Sequence, residues 1–83
     1  MNKYKNLTAS ALLKTGSGVL KGMYVNSTTS GTIKFWDNTS ASGTVINNTI
    51  TPAIGYHNLG DANFVTGCYV TIANTLDVTL YYE

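Results

Sequence analysis

Three observations predict an all-β fold, a single small antiparallel β-sandwich of jelly-roll or Greek-key type with seven or eight short strands. Apolar and polar residues alternate with period two through much of the chain. Turn-forming Gly, Asn, Ser and Asp residues recur about every 8 to 12 residues, the spacing typical of small sandwiches. Residues 22–37 also return in altered form at residues 67–82, and no segment has a convincing helical period.

The repeat keeps its chemistry at an offset of 45 residues without a gap. Gly22, Tyr24 and Val25 recur unchanged, whereas Met23, Ile33, Phe35 and Trp36 recur as the apolar residues Cys68, Val78, Leu80 and Tyr81. Each copy has two extended halves around a small polar middle. We therefore expect each copy to form one β-hairpin.

The chain is predicted to begin with a flexible arm at residues 1–6, so that the sandwich domain spans residues 7–83. Residues 7–14 are rich in Ala and Leu, which leaves a short helix open, but the pattern stops within one turn and favours a strand. Gly16 and Gly18 provide the following turn. The predicted strands are residues 7–14, 19–26, 32–37, 44–51, 53–58, 61–65, 68–73 and 76–83.

Alternation within these strands predicts which side chains are buried. The predicted core consists of Met23, Val25, Ile33, Phe35, Ile46, Cys68, Val70, Ile72, Val78 and Leu80. Further core candidates in the segment after Pro52 are Ile54, Tyr56, Leu59 and Phe64. On the opposite side of their strands, Trp36 and Tyr81 are predicted to face outward, and the repeat makes them equivalent.

Composition excludes several classes of function. With 11% charged residues, a net charge of +1 and no Arg, the chain lacks the basic stripe that nucleic-acid binding requires. No apolar run approaches the length of a membrane span, and the N-terminus lacks the apolar core of a signal peptide. We expect synthesis without a signal peptide. A domain of 83 residues has a thin stability margin, which favours association with further subunits.

Residues suited to catalysis are few, and we predict no enzymatic activity and no cofactor. The only His is His57, and the only Cys, Cys68, lies in the predicted core, where a thiol acts as a small apolar group. Asp37, Asn38 and Asp61 offer oxygen ligands on loops, but their spacing matches no calcium loop, and no metal site is predicted.

Outward aromatic residues are the best candidates for a functional surface. We predict an oligomer or partner interface, and its candidate residues are Trp36, Tyr81, Tyr4, Lys3 and Lys5. Tyr4 is expected to anchor the arm, with both lysines on an acidic surface. Two alternatives remain for Trp36 and Tyr81: they are isolated surface aromatics, or they are flat platforms for a carbohydrate beside Asn and Asp side chains.

Several short motifs resemble a small all-β domain found in virion proteins of tailed bacteriophages. These motifs are Tyr24-Val25-Asn26, residues 31–40, Gly43-Thr44, Thr51-Pro52 and residues 69–79. The resemblance implies a capsid decoration (cement) protein, or the corresponding domain of a head or tail fibre. It further implies synthesis in the host cytoplasm and a place on the capsid surface of the virion. The implied assembly is a homo-oligomer, with a trimer favoured, and the implied partner is the major capsid protein. No functional residue is carried over, because the shared pattern is structural.

Overall fold

The computed structural model describes residues 3–83, which contain six strands and no helix. The strands are β1 (Lys3–Leu7), β2 (Ala11–Thr15), β3 (Gly18–Asp37), β4 (Thr44–Ile50), β5 (Gly55–Phe64) and β6 (Gly67–Tyr82). All of them belong to one antiparallel sheet. The all-β class is therefore confirmed. No helix in these residues has the length and apolar character needed to cross a membrane.

The two long strands, β3 and β6, form the centre of the sheet. They pair along almost their whole length, from Leu20 opposite Tyr82 to Trp36 opposite Tyr69. The outer side of β6 pairs with β1 near its C-terminal end and with β2 near its N-terminal end. The outer side of β3 pairs with β5 near its N-terminal end and with β4 near its C-terminal end.

This pairing divides the sheet into two parts that share the long strands. The first half-sheet contains β1, the C-terminal half of β6, the N-terminal half of β3 and β5. The second half-sheet contains β2, the N-terminal half of β6, the C-terminal half of β3 and β4. The two repeat copies therefore lie side by side and antiparallel, and each copy contributes one half of its length to each half-sheet.

The prediction that each repeat copy is a hairpin is wrong, because neither polar middle reverses the chain. Ser30 and Asn74 take left-handed φ angles of 53° and 62°, and the ladder shifts register beside Ser30 without ending. The Asn74 side-chain amide donates a hydrogen bond to the Ser30 carbonyl at 2.8 Å, which links the polar middle segments of the two repeat copies. Single left-handed residues shift the register of a strand while its pairing resumes on either side.

The predicted count of seven or eight strands is not confirmed for the same reason. Segments predicted as separate strands are continuous in β3, β5 and β6. In β5, Gly60 and Asp61 have φ angles of 74° and 52°, and a register shift lies opposite them between Leu20 and Gly22. This irregularity replaces the predicted break between residues 53–58 and 61–65.

Part of the segment predicted as a flexible arm, residues 1–6, lies in a strand, and residues 1–2 of that segment lie outside the described residues. Lys3–Leu7 forms β1, with Tyr4 opposite Tyr81 and Leu7 opposite Val78. Leu7 is buried and fixes the end of the strand in the core. The alternation of five residues is too short to be recognised in the sequence, whereas β6 supplies a full set of backbone partners.

The core is one cluster to which both half-sheets contribute. The side chains predicted to be buried are fully buried, except Ile46 and Ile72, which are half-buried and pack against the cluster. Ile46 lies on β4, an edge strand, and Ile72 lies beyond the last β2 pair, Ala11 with Val70. Two of the further core candidates are exposed, so their predicted burial is wrong. Ile54 lies in the loop after Pro52, and Tyr56 lies on the outward face of β5.

Candidate functional site

Four tyrosines share the outward side of the first half-sheet, and Tyr4 of β1 is one of them, opposite Tyr81. We call the other three, Tyr24 of β3, Tyr56 of β5 and Tyr81 of β6, the tyrosine face. Tyr24 lies opposite Tyr56 in the ladder, and these two side chains are 43% and 57% exposed. The rings of Tyr56 and Tyr81 have centroids 6.3 Å apart and planes tilted by 44°. The face therefore consists of a tilted ring pair, in which Tyr56 is exposed and Tyr81 is half-buried, with the exposed Tyr24 beside it on β3.

Gly22 explains how these rings meet across an intervening strand. It lies on β3 between Asn58 of β5 and Tyr81 of β6 in the ladder. A Cβ atom at this position would lie 2.6 Å from Cζ of Tyr56 and 2.9 Å from the His57 carbonyl oxygen. Because glycine has no side chain, the Tyr56 ring lies over the β3 backbone and reaches Tyr81.

A hydrogen-bonded group of polar side chains adjoins the tyrosine face, and we call it the amide cluster: Asn6, Asn26, Asp77 and Thr79. The Asn6 and Asn26 amides donate to Asp77 Oδ1 at 2.7 and 3.2 Å, and to the Thr79 hydroxyl oxygen at 3.4 and 3.2 Å. Thr79 lies between Asn6 and Tyr24 in the ladder. This register joins the cluster to the tyrosine face.

The cluster keeps unused hydrogen-bond acceptors. Within residues 3–83, Asp77 Oδ2 and the amide oxygens of Asn6 and Asn26 have no hydrogen-bond partner. The amide nitrogens that hold the cluster together also fix the direction of these oxygens. The arrangement therefore presents three acceptors to solvent beside aromatic rings.

The β1 edge consists of Lys3, Tyr4 and Lys5, all exposed, with Tyr4 at 75% exposure. β1 pairs only with β6 among the described strands, so its other backbone edge has no strand partner there. Tyr4 lies opposite Tyr81, which places two of the predicted interface residues together. The Lys5 ammonium donates a hydrogen bond to the Leu12 carbonyl at 3.5 Å.

The structure does not bring Trp36 to this surface. Tyr81 pairs with Gly22, whereas Trp36 lies near the other end of β3, opposite Tyr69 in the second half-sheet. Its indole Nε1 donates to the Thr71 hydroxyl at 2.8 Å, and the Lys34 ammonium lies 4.2 Å from the ring centroid. Trp36 is half-buried, and a lysine of its own chain occupies one ring face. A platform that combines Trp36 with Tyr81 is excluded.

The residues considered for catalysis or metal binding have other roles. Cys68 is fully buried, and burial, with a smaller contribution from the Asp37 charge, raises the pKa of its thiol from 9.0 to about 12. The His57 Nε2–H donates to the Ala53 carbonyl at 2.7 Å. Asp37 accepts hydrogen bonds from backbone amides of the turn before β6, at 2.9 Å from Thr66. Residues 3–83 contain no group of three His, Cys, Asp or Glu arranged to hold a metal ion, and no enclosed pocket.

Sequence reasoning identified Tyr81 and Tyr4 but missed Tyr24, Tyr56 and the amide cluster. Because side chains alternate along a strand, Tyr24 faces away from the side on which its neighbours Met23 and Val25 are buried, and this pattern is visible in the sequence. The proximity of Asn6, Asn26 and Asp77 depends on strand pairing, which alternation does not give.

Comparison with known proteins gives no relative for this surface. No protein family, no curated protein and no solved structure matches the chain. The identity of the partner therefore depends on the chemistry of the β1 edge, the tyrosine face and the amide cluster.

Proposed function

We propose that the protein is a non-enzymatic structural component of a tailed-bacteriophage virion, a capsid decoration (cement) protein. In this proposal it binds the major capsid protein on the outer surface of the shell and stabilises the shell as an oligomer, with a trimer favoured. The resemblance of its strand and loop motifs to virion domains supports the class of protein. The β1 edge supports binding to another protein chain.

The finer fold that we propose is a jelly roll, in which the first half-sheet packs on the second. If β3 and β6 are each counted as two segments, eight segments follow in chain order. The half-sheets then have the orders 1-8-3-6 and 2-7-4-5, which is the strand order of a jelly roll. Met23 of one half-sheet and Phe35 of the other belong to the same core, which supports face-to-face packing. Jelly rolls are common in viral capsid and lectin domains, but the fold alone does not determine function.

The exposed β1 edge is the single observation that carries the decoration proposal. An edge strand with free backbone groups can add to a strand of another chain. Tyr4 is exposed on one side of β1 and Lys3 and Lys5 are exposed on the other, so the edge offers an aromatic anchor and two positive charges to an acidic surface. Tyr4 contributes little to the stability of its own domain, since three quarters of its surface is exposed.

The test is co-sedimentation of the purified protein with capsids of the phage that encodes it. We expect wild-type protein to sediment with capsids, and Tyr4→Ala and the double variant Lys3→Glu, Lys5→Glu to remain in the supernatant. Lys14→Glu on β2 is the control for a general charge effect and is expected to sediment. Wild-type protein that stays unbound, and that mass spectrometry does not find in virions, would contradict the proposal.

The second candidate function is a carbohydrate- or receptor-binding module of a phage fibre. The observation that favours it is the tyrosine face with the amide cluster beside it, since exposed aromatics next to hydrogen-bonding side chains suit a polar ligand with apolar faces. A glycan array with wild-type protein and Tyr56→Ala tests this function. An array with no signal, or a signal unchanged in Tyr56→Ala, would remove it.

A further inference from the structure

We infer that the tyrosine face and the amide cluster form one binding site for a neutral glycan built of pyranose units. This inference rests on the second proposed function and specifies its site and its class of ligand. Three properties of the surface lead to it: its shape, its excess of acceptors and its charge.

The shape of the tyrosine face suits sugar rings. Pyranose rings have faces of C–H groups and edges of hydroxyl groups, so a ligand face packs on an aromatic ring while its edges remain polar. Tyr56 and Tyr81 present adjoining rings with centroids 6.3 Å apart and planes tilted by 44°, and Tyr24 extends the surface beside Tyr56. Because the Tyr56 ring is held over Gly22, little freedom is lost when a ligand packs against it.

The excess of acceptors indicates a ligand that donates hydrogen bonds. The amide cluster uses the nitrogens of Asn6 and Asn26 internally and leaves their oxygens and Asp77 Oδ2 without partners in the described chain. Sugar hydroxyl groups are donors as well as acceptors, so they match these oxygens. A carboxylate that accepts from hydroxyl groups forms charge-assisted hydrogen bonds, which are stronger than neutral ones.

The charge of the cluster favours a neutral ligand over an acidic glycan. Asp77 carries the charge of the cluster, whose other members are two amides and a hydroxyl. The lysines of the first half-sheet do not offset this charge: Lys3 and Lys5 lie on the side of β1 opposite Asn6, and Lys21 pairs with Asp61 at 3.6 Å. A carboxylate or sulfate on the ligand would therefore meet an uncompensated like charge.

The same charge argues against a second copy of the chain on this face. A twofold contact through the face would bring the two Asp77 side chains toward each other. Charged side chains are depleted from the buried centres of protein interfaces, whereas a ligand site combines aromatic side chains with a few placed polar groups that can include a charged residue.

The experiment is an amide NMR titration of the full chain with defined oligosaccharides. The neutral probes are maltohexaose, cellohexaose and mannohexaose, and the acidic probes are sialyllactose and an alginate oligomer. Tyr56→Ala removes the central ring, and Asp77→Asn replaces an acceptor oxygen with a donor while keeping the shape. Tyr69→Ala, on the second half-sheet, is the matched tyrosine control. The amide spectrum of each variant establishes that it is folded.

We expect at least one neutral probe to shift amide signals of β1, β3, β5 and β6 around Tyr24, Tyr56 and Asp77. Tyr56→Ala and Asp77→Asn should each weaken this binding by about tenfold or more, whereas Tyr69→Ala should leave it unchanged. Binding of an acidic probe in preference to all neutral probes would overturn the class of ligand and leave the binding module standing. Absence of binding by every probe, or shifts confined to the second half-sheet, would overturn both.

Discussion

Tyr56 on β5 lies across Gly22 on β3, and its ring meets Tyr81 of β6 on the other side of that glycine. One residue without a side chain thus allows aromatic groups from two strands to form a surface over a third strand. The two rings meet because β3, in the centre of the first half-sheet, has no side chain at Gly22.

Replacement of Gly22 by Ala should destabilise the domain and disturb the tyrosine face. The new methyl group would lie 2.6 Å from Tyr56 Cζ and 2.9 Å from the His57 carbonyl oxygen, and backbone moves less easily than a ring. We expect a loss of about 1–3 kcal/mol in the free energy of unfolding, measured by urea denaturation.

A double variant separates the two contacts. With Tyr56→Ala in place, the ring no longer opposes the methyl group, so Gly22→Ala should cost less than it does in the wild-type background. Equal costs in both backgrounds would mean that the His57 carbonyl alone resists the substitution, and that Gly22 does not control the position of Tyr56.

Asp37 should contribute to stability through the turn that leads into β6. Its carboxylate accepts from the Val65 amide at 3.0 and 3.1 Å, from Thr66 at 2.9 Å and from Gly67 at 3.5 Å. Asp37→Asn removes the charge and one acceptor, and we expect a loss of about 1–2 kcal/mol in the free energy of unfolding.

Asp61→Asn is the control for Asp37, because Asp61 is an exposed carboxylate paired with Lys21 at 3.6 Å. Such pairs contribute about 0–1 kcal/mol. If thermal denaturation gave the same loss for both substitutions, the hydrogen bonds to the turn would have no special role.

The sequence predicted well those features that depend on local alternation. Ile33 and Phe35 in one copy and Val78 and Leu80 in the other alternate strictly, and all four are fully buried. The path of the chain could not be predicted in the same way. Ser, Thr, Gly and Asn are typical of hairpin loops, yet at Ser30 and Asn74 they bend two strands that stay paired with each other. The pairing of β3 with β6 therefore determines that these segments are bends in continuous strands and not hairpin loops.

The candidate site also depends partly on local alternation and partly on long-range pairing. Alternation within β6 predicts that Tyr81 faces outward, but the side chains beside it depend on which strands pair with β6. The repeat makes Trp36 equivalent to Tyr81, and the antiparallel pairing of the two copies then separates them into different half-sheets. Tyr56 comes from a segment with weak alternation, and only its pairing with β3 places it beside Tyr24 and over Gly22.

Thr71 should stabilise the second half-sheet through the indole of Trp36. Its hydroxyl oxygen accepts from Trp36 Nε1 at 2.8 Å, and Thr71→Val keeps the shape while leaving a half-buried donor without a partner. We expect a loss of about 1 kcal/mol in the free energy of unfolding. Fluorescence of Trp36, the only tryptophan, follows the transition.

Thr49→Val on β4 is the matched control for Thr71, since Thr49 is exposed. It should leave stability almost unchanged. A loss as large as that of Thr71→Val would assign the effect to the change in strand composition rather than to the indole hydrogen bond.

The buried thiol of Cys68 should make stability fall in alkaline solution. Burial, together with the Asp37 charge, raises the thiol pKa from 9.0 in a solvated chain to about 12 in the folded protein. Below pH 9.0 both states hold the proton, and the thiol has no pH-dependent effect. Above that pH the unfolded chain releases the proton first, so the free energy of unfolding decreases as pH rises toward the folded pKa.

The contribution of Cys68 can be isolated by comparing wild-type protein with Cys68→Ala in denaturant titrations at a series of pH values. The Ala variant is expected to be less stable at neutral pH, because it leaves a small cavity in the core. Its disadvantage should shrink above pH 9.0, by at most about 1.4 kcal/mol per pH unit, since only the wild type loses stability through the thiol. All other side chains are the same in both proteins, so their effects cancel in the difference. A difference that stays constant across this range would mean that the Cys68 thiol ionises as readily in the folded protein as in the unfolded chain.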